Sequence, residues 1–301
     1  EMCIRDSPKT VTFLTGRKEI AALSYFQTLL KANGYIVNSV DITTQDIPKE
    51  SNLVVMGAPS VDYTAKEVEK VSAFLDNGGK LKKNLLYIES VQQGDTPNID
   101  ELLEEYGIKF RNEFVYDSNG SNASNGYVFM ERANDKFMED IKDDSLRLFT
   151  SIYTKPVTIE FNEKSMKTCE AYAQTSDTGY TMDSKQKELT SGVTVTAAVG
   201  SKAVFIANGA EYSNLIALGS EYFLDDTVLQ MSQYLNRQWI LSLINGVTGK
   251  SSDITIEPKT VEGSLFDLTN TQIRVLEWTF IVIIPVIAVS YTHLTLPTNS
   301  L

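Results

Sequence analysis

Apolar and polar positions over the first hundred residues fall into blocks that switch between a strand-like and a helix-like period. Val11-Thr12-Phe13-Leu14 is a short β-branched and aromatic run that stops at Thr15-Gly16, the pattern of a strand feeding a turn. Leu23, Phe26, Leu29 and Leu30 then recur at helical spacing, and Asn33-Gly34 supplies a left-handed stop. The sequence predicts a strand from Tyr35 to Val40, a loop through Pro48, a buried strand Leu53-Val54-Val55-Met56 and a turn Gly57-Ala58-Pro59-Ser60. Thr64 and Glu67 have the spacing of a capping box ahead of Val68, Val71, Phe74 and Leu75, and Asn77-Gly78-Gly79 ends that helix. Leu85 to Ile88 is the next strand, and Ile99 to Tyr106 a short acidic helix stopped by Gly107. This alternation predicts an α/β fold with a doubly wound, mainly parallel sheet, whose functional loops lie at the strand C-terminal ends.

From Lys109 to about Thr196 the segments become short, rich in Tyr, Thr and Val, and separated by turn clusters such as the Ser/Asn/Gly run 118–126. That composition predicts a β-rich, mostly antiparallel elaboration. Val204 to Ala207 and Leu215 to Leu218 read as a return to the parallel core, followed by a helix from about Ser232 to Val247 with Leu235, Trp239, Leu243 and Val247 on one face. The organisation expected is one unit over 8–249 with its elaboration at 109–196, a polar tether over 250–273, and an apolar segment over 274–288. Within that segment Trp278 to Ala288 carries no charge, and Arg274 and Glu277 flank it. Its 11 residues fall short of the roughly 20 needed to cross a bilayer. It is read as the truncated start of a transmembrane helix, with Trp278, Phe280, Ile281, Ile284 and Pro285 as the anchor.

The ends are expected to be foreign. Back-translated, Met2 to Ser7 resembles a transposase-type sequencing adapter, and the reverse complement of the same DNA encodes Val289 to Leu294 and continues into Thr295 to Thr298. Residues 1–7 and 289–301 are therefore set aside as adapter-derived, and with them Cys3 and His293. The remaining segment has no histidine and a single cysteine, Cys169.

Charge and composition narrow the chemistry further. The chain carries 27 Lys plus Arg against 39 Asp plus Glu, a net charge of −12, which disfavours a nucleic-acid partner. Glu1, Arg5 and Asp6 contribute a net −1 of this. With no histidine and one cysteine, a metal centre, a thiol–histidine pair and a Ser-His-Asp triad lack their parts. No cofactor is expected. The turn carrying Thr15, Gly16, Arg17 and Glu19, read as leading straight into a helix N-terminus suited to an anion, and the turn carrying Pro59 and Ser60 are expected to line one ligand or partner cleft. Cys169 reads as a spectator thiol. The acidic groups Asp100-Glu101 and Glu104-Glu105 read as a solvated helix face, and Asp225-Asp226 as a bare turn pair.

The ordered motifs together resemble the GldG family, the gliding-motility-type auxiliary component of bacterial ABC transporters. They are strand-Thr15-Gly16-x-x-Glu19, Asp46-Ile47-Pro48, Gly57-Ala58-Pro59-Ser60 after its strand, Phe74-Leu75-Asp76-Asn77-Gly78-Gly79-Lys80, Leu102 to Gly107, Ala217 to Phe223, Asn236 with Trp239, and Glu257-Pro258-Lys259. The resemblance implies a domain related in fold to class I glutamine amidotransferases, held outside the cytoplasm at the cell membrane beside an ABC permease and its ATPase subunit. Arg17 stands where the family turn commonly has histidine. After Tyr87-Ile88, where related enzymes carry a nucleophilic cysteine, this chain has Glu89-Ser90-Val91-Gln92. The function expected is a non-catalytic, extracytoplasmic auxiliary or binding domain of an ABC-type export system. Two alternatives stand beside it: a hydrolase using Ser90 or Cys169 with a carboxylate, and a transporter-independent module binding glycan or peptide.

Overall fold

The computed structural model describes residues 8–118, 127–138, 141, 149–207, 209–231, 234–250, 278–286 and 289–290. Residues 1–7, most of the run 118–126, the tether beyond Lys250, Arg274, Glu277 and residues 291–301 lie outside them. The chain divides into two units, Glu1–Pro258 and Lys259–Leu301.

The first unit opens with β1 (Thr10–Thr15), α1 (Ser24–Ala32), β2 (Ile36–Asp41), β3 (Ser51–Gly57), α2 (Ala65–Asp76), β4 (Asn84–Ile88) and α3 (Pro97–Glu105). It continues through β5 (Ile108–Phe110), β6 (Phe114–Asp117), β7 (Tyr127–Arg132), β8 (Phe149–Ile152), β9 (Val157–Ile159), β10 (Glu163–Lys164), β11 (Lys167–Gln174), β12 (Gly179–Met182) and β13 (Glu188–Ser191). Two long strands, β14 (Val195–Ile206) and β15 (Gly209–Leu218), precede α4 (Asp226–Gln230) and α5 (Asn236–Thr248). The central sheet runs in the order β2-β1-β3-β4-β15-β14-β11-β7-β8. Its first five strands are mutually parallel, and from β15 outward each neighbour is antiparallel.

Side chains of successive residues on the parallel strands go to opposite faces. Val11, Phe13, Leu53, Val55, Leu86, Ile88, Ile216 and Leu218 enter one buried cluster with Phe26 and Leu30 of α1 and Trp239, Ile240 and Leu243 of α5. Leu14, Val54, Met56, Leu85, Tyr87, Leu215 and Ala217 enter the other with Val71 and Leu75 of α2 and Leu102 and Leu103 of α3. A sheet covered on both faces has strands that read as continuous apolar runs, which is why Leu53–Met56 and Leu85–Ile88 show no alternation. Trp239 stacks on Phe149 with ring centroids 5.2 Å apart, tying α5 to the antiparallel half. Gly200 of β14 lies against the backbone of Tyr106 at the end of α3, where a Cβ would collide.

The structure corrects two expectations. Val204 to Ile206 do not rejoin the parallel core. They form the outer end of β14, antiparallel to β15, with Phe205 71% exposed, because only the second half of β15, from Asn214, pairs with β4. The helix expected from Ser232 begins as α5 at Asn236, whose side-chain amide is spent on the backbone of Thr150 and Phe223. No helix among the described residues is long and apolar enough to cross a membrane. In the second unit Trp278 to Val286 is helical with a π-type turn at Thr279–Ile283, where the Ile284 N–H bonds the carbonyl of Thr279. Pro285 has no amide to continue the ladder. Trp278, Phe280, Ile281, Ile284 and Pro285 are all exposed.

Candidate functional site

Because the chain moves outward from β1 to β2 and then back across to β3, the connections diverge between β1 and β3, the place where open α/β sheets hold ligands. The loops leaving these strands carry Thr15, Gly16, Arg17 and Glu19 on one side and Pro59 and Ser60 on the other. The structure brings all six together at one edge and then fills the gap between them. Ile20 N–H donates to the Ala58 carbonyl at 2.9 Å, Ser60 N–H to Lys18 at 3.2 Å and Val61 N–H to Arg17 at 3.2 Å, with Glu19 and Pro59 paired as a bridge. Gly16 adopts φ +106°, and a side chain there would run into the Asp41 carboxylate.

The turn does not lead straight into a helix, which corrects the sequence reading: α1 starts only at Ser24. One of its first backbone donors, and the hydroxyl beside it, are occupied from within the protein. Ser24 Oγ–H donates to Asp226 Oδ2 at 2.8 Å and Tyr25 N–H to Asp226 Oδ1 at 3.1 Å. Asp226 is therefore not a bare turn residue; it supplies the anion that a helix N-terminus favours. Asp225 accepts from Thr227 N–H and caps α4.

Beneath the joined loops, a terminal nitrogen of Arg17 faces both carboxylate oxygens of Glu67, which is buried at the start of α2. Thr64 N–H donates to Glu67 Oε2 at 2.9 Å, so the capping carboxylate is also the partner of the arginine. Burial pushes the Glu67 carboxyl up, but Arg17 and the Thr64 amide and hydroxyl outweigh it and hold it below the usual range. The Tyr63 hydroxyl is buried beside this pair without a hydrogen-bond partner, and burial, with Glu19 and Glu67 adding to it, raises its pKa.

A second polar cluster lies at the C-terminal ends of β4 and β15. Glu89 Oε1 pairs with Lys155 Nζ at 2.7 Å, and Glu89 Oε2 accepts from the Tyr87 hydroxyl at 2.6 Å, which in turn accepts from Gln93 at 2.8 Å. Ser90 Oγ–H donates to Glu221 Oε1 at 2.9 Å and accepts from Gln92 N–H at 3.1 Å. Burial raises the Glu221 carboxyl, and its Oε2 is buried without a hydrogen-bond partner. Asp100 at the cluster margin is raised by burial and by the charge of Glu89. Ser90 stands at the nucleophile position expected from the sequence, whereas Glu221 and Lys155 carry no sequence signal beyond the place of Glu221 in the Gly219-Ser220-Glu221 turn after an apolar strand. Ser90 is fully buried, so a substrate would need the loop to open.

Cys169 faces the α2–α3 layer from β11 and is fully buried. Burial, reinforced by Glu170, pushes its thiol up to about 12, far from the thiolate that nucleophilic chemistry needs. Among the described residues no group of three or more His, Cys, Asp or Glu side chains is placed to hold a metal ion. Two cavities of about 440 and 450 Å³ open at the opposite, strand N-terminal edge, the first lined by Ile47, Lys70, Phe74 and Lys83, the second by Lys9, Lys136, Phe137 and Tyr212.

Comparison with known proteins fits this architecture. The N-terminal domain of mmIFT52 is 19% identical and superimposes with a TM-score of 0.57, covering 82% of this chain and 99% of that one, which shows a shared fold. PurLQS from Thermotoga maritima is 10% identical with a TM-score of 0.40, covering 79% and 99% of the two chains. A GMP synthase component from Thermoplasma acidophilum is 12% identical, also at 0.40, covering 81% and 96%. No curated protein matches the sequence. Residues 8–125, which hold β1 to β6 and both joined loops, match the sequence model of the auxiliary family described as an ABC-type uncharacterized transport system, and the match supports a transport-associated role.

Proposed function

We propose that this chain is an auxiliary, non-catalytic domain of an ABC-type export system, anchored in the cell membrane on its extracytoplasmic side beside an ABC permease and its ATPase subunit. The observation that carries the reading is the family match over residues 8–125. The state of the enzyme-like edge supports it. The loops at the β1/β3 divergence are closed by their own backbone, Asp226 occupies the N-terminus of α1, and Cys169 is fully buried. The exposed apolar residues Trp278, Phe280, Ile281 and Ile284 suit attachment to a bilayer. Co-purification from detergent with an ABC permease and its ATPase subunit tests the reading. Recovery of the chain alone, with export unaffected by its deletion, contradicts it.

One observation favours a second reading, a hydrolase built on Ser90. Its hydroxyl is hydrogen-bonded to the Glu221 carboxylate, the geometry of a nucleophile beside a base. Turnover of amide or ester substrates that disappears in Ser90→Ala and persists in Cys169→Ala would establish it in place of the first.

A further inference from the structure

The lysines of this acidic chain are unevenly placed. The strand C-terminal edge described above is built around Glu19, Glu67, Glu89 and Glu221, whereas Lys9 stands immediately before β1, Lys82 and Lys83 before β4, and Lys49, followed by Glu50, before β3 at the N-terminal edge. Lys250, just past α5, lies over the Tyr35 ring at the same edge, 5.4 Å from its centroid. Glu211 pairs with Lys82 and Asp76 with Lys202, while Lys9, Lys164 and Lys250 have no carboxylate within 4 Å among the described residues.

Past this edge two hairpins project. β14 and β15 remain paired from Lys202–Ser213 out to Ile206–Gly209, beyond the point where β15 leaves β4. The projecting arm exposes Phe205, Ile206 and Tyr212, with Phe205 and Tyr212 on the face shared with α5. Beside it the β10–β11 turn exposes Met166, whose carbonyl accepts from Ala203 N–H at 2.8 Å. Large apolar side chains at a strand tip, ringed by flexible cationic stems, are what an anionic bilayer surface accepts: the apolar tip enters the headgroup boundary while the ammonium groups stay with the phosphates.

We infer that the strand N-terminal edge, with the Phe205–Ile206–Tyr212 tip and its lysine collar, is a docking surface for an anionic lipid bilayer. The inference deepens the membrane-associated reading above, but it is carried by charge and shape in the first unit alone. The C-terminal end of α5 lies at the same edge, since Gly249 and Tyr212 line one cavity. A bilayer seated there would leave the acidic strand C-terminal edge facing away from the membrane.

The test uses the full chain in a Cys3→Ser background with a polarity-sensitive dye on Ala207→Cys, an exposed residue at the arm that leaves the three apolar side chains intact. Vesicles of phosphatidylcholine alone are compared with vesicles containing about one quarter phosphatidylglycerol. The expected result is a blue shift of the dye on the anionic vesicles only, with partition weaker by at least about thirtyfold in Lys9→Glu/Lys250→Glu and the shift lost in Phe205→Ser/Ile206→Ser. Vesicles that capture the chain while the dye remains in water overturn the inference, since residues 278–286 then bind without this edge. A shift that survives the lysine reversals, or one that grows with protein concentration without lipid, overturns it in favour of a neutral surface or a second copy of the chain. None of these outcomes alters the co-purification test of the transport role.

Discussion

Ser90 and Glu221, 131 residues apart in the chain, meet through a 2.9 Å hydrogen bond that joins the loop after β4 to the turn after β15. The two strands are parallel neighbours, so their C-terminal loops must meet, and the adjacent Glu89 has already taken the nearby cation, Lys155. Glu221 accepts from Ser90 and from its own backbone N–H, and its Oε2 is buried without a hydrogen-bond partner.

That arrangement fixes the sign of a pH effect. Burial raises the Glu221 carboxyl in the folded state, so its stability contribution is intact below the unfolded carboxyl value and is lost as pH rises through the folded one. Glu221→Gln keeps an acceptor for Ser90 and removes the charge. Thermal unfolding should show the variant more stable than the parent at pH 8, by on the order of 1 kcal/mol, with the gain vanishing near pH 4. A variant less stable at pH 8 would mean that the ionised carboxylate is held by a contact with Lys155 or water stronger than its burial cost.

Arg17 and Glu67 set the opposite case. The Glu67 carboxyl is held low in the folded state, so its contribution is present at neutral pH and is lost as pH falls through the folded value. Arg17→Met leaves this buried carboxylate without its cation, and urea unfolding at pH 7 should show a loss of roughly 2–4 kcal/mol. Arg17→Met/Glu67→Gln should recover much of that loss, because the neutral amide still accepts from Thr64 N–H and has no charge to desolvate. A double variant as weak as the single one would assign the loss to the joined loops rather than to the ion pair.

The parallel half of the fold was legible because each element carries its own local signal. The apolar runs Leu53–Met56 and Leu85–Ile88 require two covered faces, and Thr64 with Glu67 announces the start of α2. The outer end of β14 was misread because Val204-Phe205-Ile206 has the composition of a buried strand, while the partner that decides its exposure, Gly209 to Ser213, adds no covering layer. The site was legible only as places: the loops after β1, β3 and β4 sit where the alternation put them. What fills them was not legible. Asp226 reaches Ser24 and Tyr25 across about two hundred residues of sequence, and Lys155 reaches Glu89 across 66. No spacing rule connects such partners.

Cys169 gives a direct probe of packing between β11 and the α2–α3 layer. Its thiol, pushed up to about 12 by burial, should react with a disulfide reagent only after unfolding, and in a Cys3→Ser background the folded chain should show no fast phase at pH 8. Stoichiometric labelling within seconds would mean that the β11 side of the core opens readily. Cys169→Ser places a hydroxyl in the same apolar site and should lower stability by about 1–3 kcal/mol, while Cys169→Ala should cost less.

Asp226 closes α1 against outside anions, and removing it should reopen the site that the sequence suggested. Asp226→Ala deletes the acceptor for Ser24 Oγ–H and Tyr25 N–H, so the variant should lose about 1 kcal/mol, the usual worth of a helix cap together with its charge. Asp226→Asn keeps a neutral acceptor and should lose less. The informative comparison is the salt. In the parent chain, melting temperatures in phosphate and in chloride at matched ionic strength should coincide, because the carboxylate already occupies the helix end. In Asp226→Ala a phosphate ion can take that place, and phosphate should return part of the lost stability, more than it does in Asp226→Asn. Equal melting temperatures for the alanine variant in both salts would show that the α1 terminus does not attract anions even when vacated, and that Asp226 acts there by fixing α4 to α1 rather than by its charge.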